Sequence, residues 1–261
     1  MVKGLEPFAK HFAGFEDSYV IIGGTACDIW MQTLGLPFRA TKDLDIVLVV
    51  ENLHPGFVAK IWEFVSLAGY RIAERSTGER TLYRFHKPQN DAYPYMIELF
   101  ARSPFDLPSC GMINCTPIPG GDAAASLSAI LMDGNYYGVV MNARTRDNIF
   151  SLPVIPPSAV IPLKAKAWLD LTAREASGEQ IDEKNIRKHR NDIFRLTATL
   201  VETAHAGLPS AVVRDLKKFL YSMDEADGSI CLNISRSIGN DRFDMHIALD
   251  RLRKFYGLEF V

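Results

Sequence analysis

Two adjacent glycines behind a short apolar run place the strongest constraint on the fold of this 261-residue chain. Residues 19–22 are apolar or aromatic and are typical of a short buried β-strand. Gly23 and Gly24 then allow a tight turn, and Thr25 begins a segment that predicts a helix ending at Gly35. A strand, a glycine turn and a helix in this order predict a sheet with helices packed against it.

The remainder of the first half contains further short elements. Asp43 begins a second predicted strand, rich in β-branched residues, which ends at Val50. Residues 81–86 and 95–101 predict the two strands of a hairpin. Residues 126–147 fit either another hairpin or a short helix, and the sequence alone leaves this choice open.

Longer helical patterns fill the second half, beyond a proline-rich stretch at residues 152–158. Ser158 and Asp182 are suitable N-cap residues for the first two of these helices. We therefore predict an α+β fold, in which residues 1–150 form a mixed sheet with flanking helices. Residues 151–261 are expected to form a helical domain.

The composition argues against a protein with a broadly basic surface, against a membrane-spanning protein and against a CxxC-type zinc protein. Lys and Arg number 29 against 31 Asp and Glu, so the net charge is −2, and any site for a polyanion has to be a local patch. No apolar run approaches the roughly 20 residues that span a bilayer, so we expect no membrane contact and a cytoplasmic location. The four cysteines lack the CxxC spacing of a zinc site and are expected to be reduced thiols.

Asp43 and Asp45 are the first candidates for chemistry. Residues two apart in a strand face the same side, which puts these carboxylates about 6–7 Å apart on one face. Two acids this close repel each other unless a cation lies between them, and Mg²⁺ commonly uses one or two carboxylates together with substrate phosphates. The alternative is a pair of solvent-exposed acids at the start of a strand.

Glu98 is the third acidic candidate, because all its immediate neighbours in residues 95–100 are apolar or aromatic. A carboxylate on such a strand is costly unless it is paired or bound to a metal ion. A third acid near the two aspartates would complete a two-metal site for phosphoryl or nucleotidyl transfer. The alternative is an edge strand whose glutamate points to water.

The glycine turn itself is a candidate phosphate site. Glycine lets the backbone approach a ligand closely, and the N-terminus of the following helix offers N–H groups and a positive dipole to phosphate. The segment is neither a GxGxxG fingerprint nor a P-loop. Taken by itself, it therefore fits a plain tight turn equally well.

These motifs occur in an order that resembles a known family. Residues 21–26 (IIGGTA) and residues 39–45 (RATKDLD) resemble the hG[GS] turn and the R-x-[TS]-x-D-h-D motif of the DNA polymerase β-like nucleotidyltransferase superfamily. More narrowly, they resemble AbiEii-type nucleotidyltransferases, the toxin components of certain type IV toxin–antitoxin and abortive-infection systems. Residues 158–196 resemble a later part of that family. The resemblance implies a nucleotidyltransferase-like domain in residues 1–150 and a helical domain in residues 151–261 that completes the active-site cleft.

The later block contains Lys164 and Asp192. Lys164 shares a helical stripe with apolar residues, so it needs an anionic partner such as a triphosphate, or else it extends to solvent at the edge of the stripe. Asp192 would orient Lys164, contact the nucleotide, or pair with Lys188 one turn away. His189 stands where the family often has an aspartate, and we interpret it as a half-buried histidine.

The resemblance also implies the site residues and the cofactor. The catalytic residues would be Asp43, Asp45, Glu98 and Lys164. The ligands of Mg²⁺ would be the carboxylates of Asp43, Asp45 and Glu98. The nucleotide-binding residues would be Gly23, Gly24, Thr25, Arg39, Thr41 and Asp192.

Three functional hypotheses follow. In the first, the protein transfers a nucleoside monophosphate from an NTP to an acceptor hydroxyl, and the resemblance implies an RNA acceptor such as a tRNA 3′ end, growth inhibition and a cognate antitoxin protein. The second keeps this chemistry but has a small-molecule acceptor, as in antibiotic nucleotidyltransferases. The third is a module that binds nucleotide or antitoxin without turnover, and it is favoured if Glu98 points away from the aspartates.

Overall fold

The computed structural model describes residues 3–74, 80–102, 115–118, 127–201, 207–226 and 228–258. It divides the chain into two compact units, Met1–Pro156 and Pro157–Val261. The fold is α+β, as the sequence predicts: the described strands lie in the first unit and form a mixed sheet, and the described elements of the second unit are helices. None of the described helices is both long and apolar enough to cross a bilayer.

The first unit combines helices with a sheet of short strands. Its described helices are α1 (Leu5–His11), α2 (Gly23–Thr33), α3 (Pro55–Ala68) and α4 (Gly134–Asn142). Its described strands are β1 (Tyr19–Ile22), β2 (Asp43–Leu48), β3 (Arg71–Glu74), β4 (Arg80–His86), β5 (Met96–Ala101), β6 (Cys115–Ile118), β7 (Leu127–Leu131), β8 (Thr145–Arg146) and β9 (Pro153–Val154). The strand order is β3-β4-β5-β2-β1-β9-β8, with β7 also paired to β5 and β6 paired to β7.

The core of the first unit lies on the face of the sheet that receives the apolar side chains of alternate residues. In β2, Leu44 and Ile46 are buried, whereas the two aspartates on the other face are only partly buried. All four residues of β1 are buried, as expected for an interior strand. An aromatic cluster fills the space between α1, α3 and the sheet, and its members include Phe8, Phe12, Tyr19, Phe57 and Phe64.

Two local predictions need correction or completion. Helix α2 begins at Gly23, two residues before the predicted start, and Gly23 adopts a left-handed φ of 66°. Residues 134–142 form a helix, which settles the choice left open by the sequence. Asp133 caps this helix, because its side chain accepts a hydrogen bond from the backbone N–H of Asn135 at 2.9 Å.

The second unit contains the described helices α5 (Pro157–Ala176), α6 (Glu183–Thr197), α7 (Ser210–Asp224), α8 (Gly228–Ile238) and α9 (Met245–Tyr256). Helix α5 packs against α6 and α7, and the rings of Trp168 and Phe219 meet edge to face at 5.3 Å. Asp182 caps α6 as predicted, through the N–H of Lys184 at 2.9 Å. The sequence predicts that this helix continues to about His205. It ends at Thr197, and residues 202–205 of the predicted span lie outside the described residues.

Candidate functional site

The pairing of β2 with β5 brings the three predicted acidic positions onto one face of the sheet. These strands are parallel, and their register pairs Asp43 with Met96 and Asp45 with Glu98. Cα atoms paired across neighbouring strands lie about 4.8 Å apart, and their side chains point to the same face. Asp43, Asp45 and Glu98 therefore occupy neighbouring positions on the face opposite the apolar core.

The carboxylate of Glu98 is neutralised by an arginine on the next strand. Strand β4 pairs Arg84 with Glu98, and the Arg84 Nε–H donates a hydrogen bond to Glu98 Oε1. The Glu98 side chain is 14% exposed and that of Arg84 is 46% exposed. Because β5 lies between β2 on one side and β4 and β7 on the other, the alternative of an edge strand is wrong. Arg84 offsets the cost of this largely buried carboxylate.

The side chains of the three acids do not converge as closely as their backbone positions do. Among the residues that the structure describes, no three His, Cys, Asp or Glu side chains are grouped tightly enough to hold one metal ion. The three-carboxylate magnesium site stays a prediction, and the partner that the structure shows for the Glu98 carboxylate is Arg84. Asp43 and Asp45 still fit Mg²⁺, because one or two carboxylates plus substrate phosphates meet its preferences.

Asp45 packs directly against the first residue of α2. A Cβ atom added at Gly23 would lie 1.9 Å from Asp45 Oδ2, a distance that no side chain tolerates. The N-cap residue of this helix, Ile22, has no side-chain acceptor for the first backbone N–H groups. The Asp45 carboxylate therefore lies at the positive end of the α2 dipole, directly beside Gly23.

The second glycine of the turn contacts the loop that precedes the aspartates. A Cβ atom added at Gly24 would lie 2.6 Å from Thr41 Oγ1 and 3.6 Å from Arg39 Nη2. The two sequence motifs, which are separated by helix α2, therefore meet at its N-terminus. Thr25 ties them together, because its buried hydroxyl donates a hydrogen bond to the Asp43 carbonyl at 2.7 Å. Because the hydroxyl hydrogen of Thr25 is already donated to Asp43, the group that this residue can offer to a phosphate is its backbone N–H.

Further side chains near the acids were not predicted from the sequence. The Lys42 ammonium lies 5.8 Å from the centre of the Tyr95 ring, beside Asp43, and Tyr95 is an exposed aromatic residue. Arg84 and His86 share the acidic face, because alternate residues of β4 point the same way. Burial, followed by the charges of nearby cations that include Arg84, lowers the pKa of His86. The alternation in β4 would have revealed these residues only if its pairing partner had been known.

Lys164 and Asp192 form a buried ion pair within the second unit. The Lys164 ammonium donates a hydrogen bond to Asp192 Oδ2 at 2.7 Å, and their side chains are 5% and 0% exposed. Arg195 Nη1 donates to the other Asp192 oxygen at 3.0 Å. Of the roles considered for Asp192, orientation of Lys164 is the one its contacts show. A role for either residue in nucleotide binding stays a prediction, as does any role for the half-buried His189.

Comparisons with known proteins give no family assignment. No family model matches the chain, and no curated protein matches it. One similar solved structure is the crystal structure of an antigenic nucleotidyltransferase-like protein from Paracoccidioides brasiliensis, 14% identical, with a TM-score of 0.40 over 89% of this chain and 88% of that chain. Another is the solution structure of the antibiotic-resistance factor ANT(2″)-Ia, 14% identical, with a TM-score of 0.33 over 80% of this chain and 86% of that chain.

Proposed function

We propose that this protein is a nucleotidyltransferase of the DNA polymerase β-like type, which uses Mg²⁺ to transfer a nucleoside monophosphate from an NTP to an acceptor hydroxyl. The observation that carries the proposal is the register that pairs Asp45 with Glu98, beside the glycine N-terminus of α2. This arrangement supplies acidic groups for a divalent cation and backbone N–H groups for phosphate at one place.

Asp43 and Asp45 are the proposed ligands of Mg²⁺. Oxygen donors on a partly exposed strand face suit this ion, which retains room for phosphate oxygens in its coordination shell. The bound ion would neutralise charge on the triphosphate and stabilise the negative charge that develops on the oxygens around the α-phosphorus. The contact between Asp45 and Gly23 fixes where this carboxylate lies, so the backbone of α2 sets the position of the site.

The N-terminus of α2 is the proposed phosphate cradle. The backbone N–H groups of Gly23, Gly24 and Thr25 can bind phosphate oxygens, and the helix dipole favours negative charge there. Arg39, which lies against Gly24, adds a positive charge at the same place. Because Asp45 also lies there, a triphosphate can approach this end of the helix only when a cation compensates the carboxylate.

The reaction requires one displacement at the α-phosphorus. The acceptor oxygen forms a bond to this atom, the bond to the bridging α–β oxygen breaks, and pyrophosphate leaves. We assign to Glu98 the removal of the proton from the acceptor hydroxyl, because its position is next to that of Asp45. Arg84 would then orient this carboxylate through its hydrogen bond.

The acceptor is proposed to be RNA, such as a tRNA 3′ end. This finer proposal, with the roles of toxin and antitoxin partner, is supported by the resemblance of residues 19–50 and 158–196 to AbiEii-type proteins. One observation favours a second candidate, a nucleotide-binding module without turnover. The Glu98 carboxylate is bonded to Arg84 and is not grouped with the aspartates among the described residues.

Nucleotide incorporation distinguishes these candidates. The purified protein is mixed with Mg²⁺, total tRNA and each α-labelled NTP in turn, beside an Asp43→Asn/Asp45→Asn variant. An Asp91→Asn/Asp170→Asn variant is the matched control, since it removes the same charge from two exposed acids. We expect label on RNA with the native and control proteins only. Metal-dependent NTP binding without any transfer, to RNA or to small hydroxylated acceptors, would establish the module and refute the transferase.

A further inference from the structure

Strand pairing places the proposed site residues in one row across the sheet of the first unit. From β4 to β1, the paired positions of this row are Arg84, Glu98, Asp45 and Ile22. Gly23, the first residue of α2, follows Ile22 directly along the chain. Because paired strands lie about 4.8 Å apart, the row leads stepwise from a cation, past the proposed base and the proposed metal ligand, to the proposed phosphate cradle.

A second row lies two residues away along these strands. From β3 to β2, its paired positions are Arg71, His86, Met96 and Asp43. Residues directly opposite each other in paired strands point to the same side of a sheet, so Arg71 and His86 lie on the same face as the acids. Arg71 is exposed and His86 is half-buried, whereas Phe85, the next residue of β4, is buried on the core side.

The geometry of nucleotidyl transfer gives the two ends of the first row different partners. In an in-line displacement the attacking and leaving oxygens lie on opposite sides of the phosphorus atom. With the leaving pyrophosphate at the N-terminus of α2, as proposed, the acceptor hydroxyl has to approach from the side of Glu98. That side of the acids is formed by β4 and β3, so the rest of the acceptor lies over Arg84, His86 and Arg71.

This side of the acidic face is positively charged. The described side chains that β3 and β4 place on it are Arg71, Arg84 and His86, and none of these is acidic. Burial lowers the pKa of His86, and so do the positive charges that act on its ring, those of Lys87, Arg71 and Arg84. The imidazole is therefore neutral at pH 7. Since Arg84 offsets Glu98, and bound Mg²⁺ would offset the two aspartates, the positive charge of Arg71 is left without an acidic counterpart on this face.

We propose that Arg71, His86 and Arg84 form an acceptor surface, which binds the phosphates of an RNA strand whose terminal hydroxyl reaches Glu98. This proposal rests on the proposed function, because it names the surface that holds the acceptor of that reaction. Guanidinium groups bind phosphate oxygens through two N–H groups at once, and a neutral imidazole donates one N–H. The terminal amino groups of Arg84 bond to no residue that the structure describes, so they remain available to a phosphate. The same cations disfavour a polycationic acceptor.

The test measures tRNA binding by fluorescence anisotropy at several salt concentrations in the presence of Mg²⁺. An Arg71→Gln variant is compared with the native protein and with Arg146→Gln, because both residues are exposed arginines on the strands at the two ends of the described strand order. We expect Arg71→Gln to bind tRNA about 10-fold more weakly. The slope of log K against log salt should fall in magnitude by roughly 0.7–0.9, the value for one lost phosphate contact. Arg146→Gln is expected to keep the native affinity and slope.

A His86→Ala variant separates hydrogen bonding from charge. We expect it to bind tRNA about 2- to 10-fold more weakly with a native salt slope, because a neutral donor adds affinity without releasing counterions. A native slope in Arg71→Gln would overturn the proposal, as would an equal fall in slope in Arg146→Gln. Absence of tRNA binding by the native protein would overturn it as well.

Metal-dependent NTP binding is measured on the same proteins by calorimetry. We expect it to be unchanged in Arg71→Gln and His86→Ala, because β5 and β2 separate both residues from the proposed phosphate cradle. Absence of metal-dependent NTP binding by the native protein would refute the proposed function. Intact NTP binding with a native salt slope in Arg71→Gln would refute the acceptor surface alone. An equal loss of NTP and tRNA binding in Arg71→Gln would assign this arginine to the nucleotide and also refute the acceptor surface.

Discussion

Substitution of Gly23 by alanine tests the geometry of the site. The added Cβ would lie 1.9 Å from Asp45 Oδ2, whereas ordinary van der Waals contact begins at 3.4 Å. The carboxylate would therefore have to move by about 1.5 Å. A misplacement of about 1 Å in a reacting group can lower a catalytic rate by about 10²-fold. We expect Gly23→Ala to lower nucleotide incorporation by at least this factor.

A glycine that follows the same helix provides a matched control. Gly35, just beyond the C-terminus of α2, has a φ of 67°, against 66° for Gly23, but a Cβ added there meets nothing within 4 Å. Both alanine variants should lose about 1–2 kcal/mol of unfolding free energy, because a left-handed residue with a side chain is strained. Only Gly23→Ala also displaces Asp45.

The assay combines urea denaturation with nucleotide incorporation by the folded variants. We expect Gly35→Ala to keep the rate within about threefold of the native value, since it leaves the site unchanged. Native rates in Gly23→Ala would refute the argument that this glycine sets the position of Asp45. If Gly35→Ala lost as much activity as Gly23→Ala, the loss would come from backbone strain at the ends of α2 and not from displacement of Asp45.

Glu98→Gln is expected to change the unfolding free energy by less than about 1 kcal/mol, since its ion pair is partly exposed. The same change should lower nucleotide incorporation by about 10²- to 10⁴-fold while Mg²⁺-dependent NTP binding is retained, because glutamine cannot take the proton of the acceptor hydroxyl. Tyr19→Phe should leave stability unchanged or slightly higher in urea denaturation, because its buried hydroxyl lacks a hydrogen-bond partner in the described part of the chain. Tyr70→Phe, which loses a 2.6 Å hydrogen bond to a carbonyl, should cost about 1 kcal/mol in the same assay. Asp192→Asn should cost about 3–5 kcal/mol, because it leaves the buried Lys164 charge without its carboxylate, and a second change, Lys164→Met, should restore much of that loss. Equal unfolding free energies for the two tyrosine variants, or no restoration in the double variant, would contradict these assignments.

The sequence predicted those helices whose first and last residues are marked by capping residues, proline or glycine nearby in the chain. The sequence predicts a helix from Pro55 to Ala68, closed by Gly69, and helix α3 spans Pro55–Ala68. A proline suits its first turn, and Gly69 adopts the left-handed conformation after its last residue. Asp182 likewise marks the start of α6. Helix α8 was not predicted, because it begins with a glycine and contains serine, asparagine and isoleucine in place of strong helix formers.

The pairing of strands and side chains that are distant along the chain could not be predicted from the sequence. The motifs identified Asp43, Asp45 and Glu98 as candidates, but not the register that places Asp45 beside Glu98, 53 positions further along the chain. Strand register depends on the packing of a whole face, which no local pattern specifies. For the same reason the sequence missed Arg84, which donates a hydrogen bond to Glu98. The partners of buried charges, such as Arg195 for Asp192, were hidden in the same way.

Calorimetric titration of an NTP, with and without Mg²⁺, tests the central claim most directly. The account predicts that the native protein binds NTP only when the divalent ion is present. It also predicts that Asp43→Asn/Asp45→Asn abolishes this binding and that Asp91→Asn/Asp170→Asn retains it. NTP binding that is equally tight without the ion, or that survives loss of both site aspartates, would contradict the claim that the acidic face beside α2 is a metal–nucleotide site.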